Sequence, residues 1–206
     1  MVGEFKSSTL TERQPNLLAA EHRKVHRRFA RRSLLPALPS NLLWKIEVGV
    51  VRTLTWLEDG TVITLGLWTA GDIVGDVLSR IDPYQIECLT AVEVELLTVD
   101  YWSQEIGGLI SHHQQTEELM LIRSSKRVDE MILKILLWLG QKFGRAVEEG
   151  RLIDLRLTHQ HLAELLGTTR VTVTRALNQF EQEGLIKRLP SHLIILPEQE
   201  IWSYEI

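Results

Sequence analysis

The 206-residue sequence predicts an α+β fold in which a β-rich first half precedes a helical second half. In the first half, β-branched and apolar runs alternate with glycine-containing turns, which is typical of short antiparallel strands. From about residue 100 the apolar residues adopt the three- and four-residue spacing of helices. Near the end of the chain, two helical segments meet at a glycine and are followed by two more strand-like runs. We therefore expect a β-barrel or sandwich, a long helix and a small helical domain with a β-hairpin.

The composition is that of an ordinary globular protein, with 44% apolar and 24% charged residues. No uncharged apolar run reaches the roughly 18 residues that a membrane-spanning helix needs, and no secretory leader is expected at the N-terminus. We therefore expect a cytoplasmic protein. Cys88 is the single cysteine, which excludes an internal disulfide framework and an all-cysteine metal site within one chain. The formal net charge of −4 does not indicate nucleic-acid binding, so any such contact must come from a local patch.

Residues 1–33 change from a polar start to the basic stretch "EHRKVHRRFARRS". Leu18, Val25 and Phe29 have spacings that place them on one face of a helix, which leaves the basic residues on the other. We expect a basic N-terminal arm that forms a short amphipathic helix or a frayed arm docking on the next domain. Contact of this arm with DNA, a membrane or an acidic partner is the alternative. The basic residues are Arg23, Lys24, Arg27, Arg28, Arg31 and Arg32.

Residues 34–99 have the pattern of a small β-barrel. Two apolar, β-branched runs flank Glu58-Asp59-Gly60, which is the clearest hairpin signal in the chain. Glycines punctuate the neighbouring segments, as expected where short strands turn the corners of a barrel. Cys88 lies in an apolar strand, so we expect a core residue rather than a nucleophile. The inward residues of the last two runs are Ile86, Cys88, Val92, Val94 and Leu96.

Residues 100–124 are expected to form a long helix, and a second helix follows it. Gly144 is the expected cap at the C-terminus of the second helix. An apolar stripe on a helix that leads from one domain into the next needs a partner, so the first helix is expected to form a homodimer interface. Packing of this helix on its own domain is the alternative. The first helix has Ile106, Leu109, Ile110, His113, Glu117, Met120, Leu121 and Ser124 at helical spacing, and the second has Val128, Ile132, Ile135, Leu136 and Leu139.

Residues 125–206 contain a pattern of two short helices joined at a glycine. In "RLTHQHLAELLG", Thr158 is a good N-cap, and Leu157 and Leu162 have the spacing of a hydrophobic staple. Gly167 ends this first helix, and the threonines that follow it are able to cap a second. We therefore expect a helix, a tight turn and a second helix from about residue 158 to 183.

The stretch "GTTRVTVTR" at this junction gives conflicting signals. Its residues 171–174 are all β-branched, so local propensity favours a strand. The alternation of a strand does not continue into "RALNQFEQEG", however, whose composition favours a helix. A helix over residues 170–183 places four apolar residues on one face. The longer pattern outweighs the local propensity, and the buried face is Val173, Ala176, Leu177 and Phe180.

The second helix exposes Arg170 and Arg175 on its other side, and this arrangement suits the major groove of DNA. The groove admits one helix, and an arginine is able to donate two hydrogen bonds to guanine O6 and N7. "LIKRLPSHLIILP" then predicts a strand, a turn and a strand, which form a β-wing with basic residues near the DNA backbone. A helical hairpin with solvated arginines is the alternative. The residues expected to contact DNA are Thr168, Thr169, Arg170, Val171, Thr172, Thr174, Arg175, Asn178, Lys187 and Arg188.

Histidine pairs raise the question of an enzyme or a metal site. His112 and His113 are adjacent, and His159 and His161 are two residues apart, so the members of each pair diverge on a helix. No third ligand has convincing spacing, and no glycine-rich loop is placed to hold a phosphate. We therefore expect no catalytic residues, no metal site and no enzymatic activity. A ligand-independent adaptor that recruits protein rather than DNA is the remaining alternative.

The sequence resembles the Crp/Fnr superfamily of bacterial transcription regulators. The resemblance covers about residues 34–196 and includes "GVVRTLTWLEDGTVITLGLWTAGDIVG" and "LTHQHLAELLGTTRVTVTRALNQFEQEGLIKR". It implies a cyclic-nucleotide-binding-like β-barrel that is shortened at its start, a long dimerisation helix over 100–124 and a C-terminal winged helix-turn-helix over 125–206. Double-stranded DNA, a second copy of the chain and RNA polymerase are the implied partners.

The stretch "TRVTVTR" is most similar to the recognition helix of the cyanobacterial global nitrogen regulators. Many members of the superfamily have a glutamate directly after the first arginine, where this chain has Val171. Carried over to Arg170, Val171 and Arg175, the resemblance implies a palindromic site with GTA/TAC-type half-sites about one helical turn apart.

The effector side departs from the superfamily pattern. Cyclic-nucleotide-binding members have a Gly-Glu pair and an Arg-Ser or Arg-Thr pair around the ribose and the cyclic phosphate. Here Asp76 replaces the glutamate, and no arginine precedes Tyr84 at the phosphate position, so cyclic AMP is not expected. Asp82 and His112 stand near the places where the nitrogen regulators hold 2-oxoglutarate with arginines. Arg80 and Arg123 are able to take the place of those arginines, but we expect both on the surface. The effector-binding residues are unknown, no cofactor is expected, and another small-molecule effector remains open.

Overall fold

A computed structural model describes residues 25–197 of the chain. The strands of its first part are β1 (Val25–Phe29), β2 (Leu42–Val48), β3 (Val50–Trp56), β4 (Val62–Thr69), β5 (Ile73–Val74), β6 (Gln85–Cys88) and β7 (Val92–Thr98). They form a β-barrel made of two antiparallel sheets, with strand orders β1-β7-β2-β5 and β4-β3-β6. The predicted hairpin joins β3 to β4, and the Asp59 carboxylate accepts a hydrogen bond from the Thr61 amide in its turn, at 2.9 Å.

The expected helix in the basic arm is wrong for the part that the structure describes. Val25–Phe29 is strand β1, which pairs antiparallel with β7. Val25 and Phe29 are partly buried against the barrel core, and Arg27 shares their face, with its guanidinium 6.0 Å from the centroid of the Trp44 ring. The first 24 residues of the arm, with Leu18, Arg23 and Lys24, lie outside the described residues.

The barrel interior is filled by large apolar side chains. Trp44 and Trp68 are 0% and 2% exposed, and their indole N–H groups donate to the Pro36 carbonyl and the Thr53 hydroxyl, at 3.2 Å and 3.0 Å. Burial raises the pKa of the Cys88 thiol, which agrees with the predicted core position of this residue. The predicted inward residues Ile86, Val92, Val94 and Leu96 are also buried.

Two helices follow the barrel, α1 (Ile106–Arg123) and α2 (Val128–Phe143), and a 3₁₀ segment, Val99–Glu105, precedes α1. Gly144 caps α2 as predicted, but with extended backbone rather than the left-handed conformation, because the chain continues directly into a strand. A Cβ atom at this position would lie 2.1 Å from the Gly140 carbonyl oxygen, so only glycine fits. None of the helices in residues 25–197 has the length and apolar character needed to cross a membrane.

The elements of the C-terminal part are β8 (Gly144–Val147), β9 (Gly150–Ile153), α3 (His159–Leu166), α4 (Arg170–Gln182), β10 (Lys187–Leu189) and β11 (Leu193–Leu196). They combine a helix-turn-helix with a four-stranded sheet in the order β10-β11-β9-β8. The hairpin of β8 and β9 was not predicted from the sequence, whereas the two helices and the wing formed by β10 and β11 were.

Buried polar contacts dock the helix-turn-helix on the barrel. Arg52 of β3 contacts Glu87 of β6 at 2.6 Å and Glu164 of α3 at 2.5 Å. Lys142 of α2 contacts Asp72 of the barrel at 3.1 Å and donates to the Leu67 carbonyl at 2.7 Å. The two parts of the chain therefore share an interface that is both apolar and ionic.

Arg123 takes part in the same interface. Its guanidinium donates to the Thr64 carbonyl of the barrel and, at 2.8 Å, to the Leu165 carbonyl of α3. Burial lowers the pKa of this guanidinium. The expected surface position of Arg123 is therefore wrong, because the side chain joins two domains that the sequence alone does not bring together.

Candidate nucleic-acid interface

Helix α3 begins and ends as its sequence predicts. The Thr158 hydroxyl accepts a hydrogen bond from the His161 amide at 3.1 Å, and the Thr158 amide donates one to Nδ1 of the His161 ring at 3.4 Å. This reciprocal capping box satisfies two amides that would otherwise lack partners. Gly167 follows the helix with φ of 66°, a left-handed conformation that favours glycine and turns the chain towards α4.

Helix α4 forms over the β-branched stretch, so the longer helical pattern determines the structure there. Thr169 caps the helix by accepting the Thr172 amide at 3.1 Å. The predicted inner face is buried between α3 and the rest of the domain, and only one of the four β-branched residues contributes to it. The buried residues are Val173, Ala176, Leu177 and Phe180.

Arg170, Val171, Arg175 and Asn178 lie on the exposed side of α4. Neither guanidinium group has a hydrogen bond or an ion pair within residues 25–197, so both keep their donors available. Val171 is 63% exposed, so its methyl groups are accessible to a binding partner. The helix therefore presents two cations and one apolar side chain from its first two turns.

The threonine hydroxyls on this side are less free than the sequence predicted. The hydroxyl groups of Thr172 and Thr169 form a hydrogen bond with each other at 2.9 Å. The Thr174 hydroxyl donates to the Arg170 carbonyl at 2.8 Å and also contacts the His159 ring at 2.8 Å. These hydroxyls stabilise the turn and the helix, whereas Thr168 has no side-chain hydrogen bond among the described residues.

The two basic residues of β10 are engaged in ion pairs. Lys187 contacts Glu149, at the turn between β8 and β9, at 2.6 Å, and both side chains are about half exposed. Arg188 pairs with Glu181 at the end of α4, and its hydrogen bonds lower the pKa of that carboxyl group. Arg188 thus fixes the wing against α4, and both cations keep further N–H donors besides those that contact their carboxylates.

A groove of about 430 Å³ separates α4 from the wing. His159 of α3 and His192 of the wing turn line it, with ring centroids 6.1 Å apart. Ser191 and His192 have φ of 65° and 62°, a left-handed conformation that costs about 1 kcal/mol or more for each non-glycine residue. From the sequence, His159 was weighed only as a metal ligand, and His192 was not predicted to have a functional role. A histidine at a tight turn beside basic residues was the available signal.

The residues on the effector side belong to the packing of the barrel. The Asp76 carboxylate accepts the Leu38 amide at 3.1 Å, and Arg80 is exposed as predicted. His112 stacks on Trp68 with 3.9 Å between the ring centroids, and its Nδ1 lies 3.0 Å from the Ile73 carbonyl oxygen. Burial lowers the pKa of His112, so this ring is neutral where it meets the barrel at pH 7.

Comparison with known proteins decides the family. Residues 132–200 match the family model described as a Crp-like helix-turn-helix domain. The regulatory protein CysR of Synechococcus elongatus is 42% identical over 95% of this chain and 93% of its own length. The chain belongs to the Crp/Fnr family. It is a transcription regulator with a DNA-binding helix-turn-helix, not an enzyme, and no relative found supports the adaptor alternative.

Further relatives agree with the predicted membership of the Crp/Fnr family. The global nitrogen regulator of Synechococcus elongatus is 28% identical over 73% of this chain and 75% of its own length. A Crp-family regulator from Thermus thermophilus has a TM-score of 0.73 at 22% identity, covering 85% of this chain and 94% of that one. FixK2 from Bradyrhizobium japonicum has a TM-score of 0.72 at 18% identity, covering 87% and 95%. The predicted α+β fold with its barrel, linking helix and winged helix-turn-helix is confirmed.

Proposed function

We propose that this Crp/Fnr regulator binds a palindromic DNA site as a homodimer and reads each half-site with Arg170 and Arg175. The observation that carries the proposal is that both guanidinium groups lie on the exposed face of α4 and form no ion pair with any residue of the described part. An arginine that is not committed to an intramolecular carboxylate donates both of its hydrogen bonds to guanine O6 and N7 without first breaking an ion pair.

The dimer interface proposed for this chain is the exposed side of α1. Ile106, Ile110, Met120 and Leu121 are all more than half exposed. At about 100° of rotation per residue they fall within an arc of about 100° on one face of the helix, whereas Leu119 and Ile122 of the opposite face are buried. Such a stripe on a helix between two domains is typical of a subunit interface.

The half-sites that this geometry favours are of the GTA/TAC type. Each half-site offers a G·C pair to an arginine, and Val171 offers its methyl groups to a thymine methyl. Two-fold symmetry places the α4 helices of the dimer in successive major grooves, about 34 Å apart. We expect this protein to work with RNA polymerase at such sites in the cytoplasm.

DNA binding by this chain does not require cyclic AMP under this proposal. Trp44 and Trp68 fill the barrel interior, and His112 with its stacked partner occupies the contact between the barrel and α1. We expect the affinity for DNA to be the same with and without cyclic AMP or 2-oxoglutarate. An increase in affinity of tenfold or more with either compound would contradict this part of the proposal.

Selection from a library of random duplexes tests the sequence preference. The enriched sites are expected to be palindromes of GTA/TAC type whose half-site centres are about 10 base pairs apart. Enriched half-sites without a G·C pair facing Arg170 or Arg175 would refute the proposal.

Alanine variants test the two arginines separately. Arg170→Ala and Arg175→Ala are each expected to lower the affinity for the selected duplex by about 1–3 kcal/mol and to relax the base preference at one position. Arg80→Ala removes an exposed arginine of the barrel and is the matched control, for which unchanged affinity is expected. Retained affinity in both α4 variants would contradict the proposal.

A further inference from the structure

Within residues 25–197, His159 and His192 lie beside the recognition helix without contacting a carboxylate. Their rings are 6.1 Å apart and cross at 71°, one from the first residue of α3 and the other from the turn of the wing. Both line the groove between α4 and the wing. His192 is exposed at the wing turn, where its backbone is left-handed, and Arg170 lies near enough to His159 to lower the pKa of its imidazole.

The hydrogen bonds of Thr174 determine which nitrogen of His159 carries a proton. A threonine hydroxyl has one hydrogen, and Thr174 donates it to the Arg170 carbonyl at 2.8 Å. The contact of 2.8 Å between this hydroxyl and Nδ1 of His159 must therefore have the ring as its donor. In the neutral ring Nε2 is then an acceptor, and it forms no hydrogen bond with any other residue of the described part.

The charges around His159 are almost all positive. Burial, His192, Arg188 and Arg170 each lower the pKa of this imidazole, in decreasing order of effect. The nearby carboxylate that lines the same groove is Glu181, and it is already paired with Arg188. A negatively charged partner that enters the groove would therefore reverse the local balance and favour the protonated ring.

We propose that His159, with His192 on the opposite wall of the groove, forms a proton-dependent contact with the DNA backbone, so that binding of a duplex is coupled to proton uptake. The proposal rests on the DNA binding proposed above and names a contact that the arginines of α4 do not make. Protonation converts Nε2 of His159 from an acceptor, which repels a phosphate oxygen, into a donor that binds one. His192 adds a second imidazole on the other wall of the groove.

The direction of the pH effect follows from linkage. A phosphate raises the pKa of His159 in the complex above its value in the free protein, so the complex binds more protons than the free components do. The contribution of this contact to affinity is complete below the pKa of the free protein and is lost as the pH rises through the pKa of the complex. Affinity for DNA therefore falls with rising pH in the range around the ordinary histidine pKa of about 6.5.

Fluorescence anisotropy with the selected duplex tests this coupling at constant ionic strength, from about pH 5.5 to about pH 8, the range in which histidine titrates. The test variant is the double substitution His159→Asn and His192→Asn. At position 159 asparagine keeps a donor for Thr174 at the place of Nδ1, and at position 192 it accepts the left-handed backbone of the turn. His26→Gln, at an exposed position on β1, is the matched control.

As the pH rises over this range, the affinity of the wild type and of the His26→Gln control for the duplex is expected to fall by roughly tenfold more than that of the double variant. A tenfold difference is the scale of one charge-assisted hydrogen bond. At about pH 6 the salt dependence of binding should be steeper in the wild type by about 0.9 in log K per log salt for each phosphate contacted. At pH 8 the affinities should agree, which also shows that the double variant is folded.

Two results separate failure of this proposal from failure of the proposed function. If the wild type binds the duplex but has the same pH profile and salt slope as the double variant, the histidine contact is refuted and the role of the arginines stands. If the wild type binds no duplex at any pH, the proposed function fails and the histidine contact fails with it.

Discussion

Arg52 forms a buried ionic contact between the two parts of the chain. Among residues outside the DNA-contacting surface, we predict the largest loss in the free energy of unfolding for its substitution. Its side chain is 10% exposed, and the carboxylates of Glu87 and Glu164 that it joins are 19% and 11% exposed. Arg52 also donates to the Thr64 hydroxyl at 3.3 Å. Arg52→Met keeps most of the aliphatic stem but leaves two shielded carboxylates without their counter-ion.

The expected loss is about 3–5 kcal/mol in the free energy of unfolding, because removal of one partner of a buried ion pair leaves an uncompensated charge. The partial exposure of Glu87 lets water reach one of the two carboxylates, which favours the lower end of this range. Combining Arg52→Met with Glu87→Gln and Glu164→Gln removes that charge and is expected to restore most of the loss.

Urea unfolding monitored by tryptophan fluorescence measures the effect, provided that the transition remains two-state. Arg145→Met is the matched control because Arg145 pairs with Asp154 on the surface, where the side chains are 60% and 56% exposed. This control is expected to lose less than about 1 kcal/mol. A loss in Arg52→Met no larger than that of the control would refute the assignment of a buried ionic contact between barrel and helix-turn-helix.

Three further predictions concern the dimer, α3 and the barrel core. Ile110→Glu places a charge in the exposed stripe of α1 and is expected to yield monomers in sedimentation velocity, and an intact dimer would contradict the proposed interface. Thr158→Ala removes the N-cap of α3 and is expected to cost about 1 kcal/mol in urea unfolding, against no change if the cap is dispensable. Cys88 is 0% exposed with a raised thiol pKa, so a disulfide reagent at pH 8 is expected to react only as the protein unfolds, and rapid reaction of native protein would place the thiol elsewhere.

The sequence predicts best where a pattern extends over many residues. Helix α4 formed in spite of its β-branched start, because four apolar residues at helical spacing outweigh the local preference of residues 171–174. The hairpin between β3 and β4 and the wing were equally clear, since each has a turn between two apolar runs. The exposed positions of Arg170 and Arg175 follow directly from the same helical period.

Strand β1 was missed for a local reason. Val25 and Phe29 are four residues apart, a spacing compatible with one face of a helix and with one face of a strand. The residue between them on the inner face is Arg27, whose charge hides the strand alternation, although its guanidinium lies over the Trp44 ring. The hairpin of β8 and β9 was also missed, and "GRAVEEGRLI" carried the signal for it in Gly150 between two short runs.

Contacts between the barrel and the helix-turn-helix were beyond prediction from one sequence. Arg52 and Glu164 are 112 residues apart, and Arg123 and Thr64 are 59 apart. No periodicity relates such positions, because the contact depends on how two folded domains dock. The same reason explains why the ion pairs of Lys187 and Arg188 were not foreseen for residues predicted to meet DNA.

A double-mutant cycle between an arginine and its guanine tests the central claim most directly. The selected duplex is prepared with 7-deazaguanine at the half-site guanine, which lacks the N7 acceptor, and its affinity is measured for the wild type, Arg170→Ala and Arg175→Ala. One arginine variant is expected to show no further loss with the modified duplex, which gives a coupling energy of about 1–3 kcal/mol for that pair. If the loss of affinity from the modified duplex adds fully to the loss from the substitution in both arginine variants, this result contradicts the claim that the arginines of α4 read guanine.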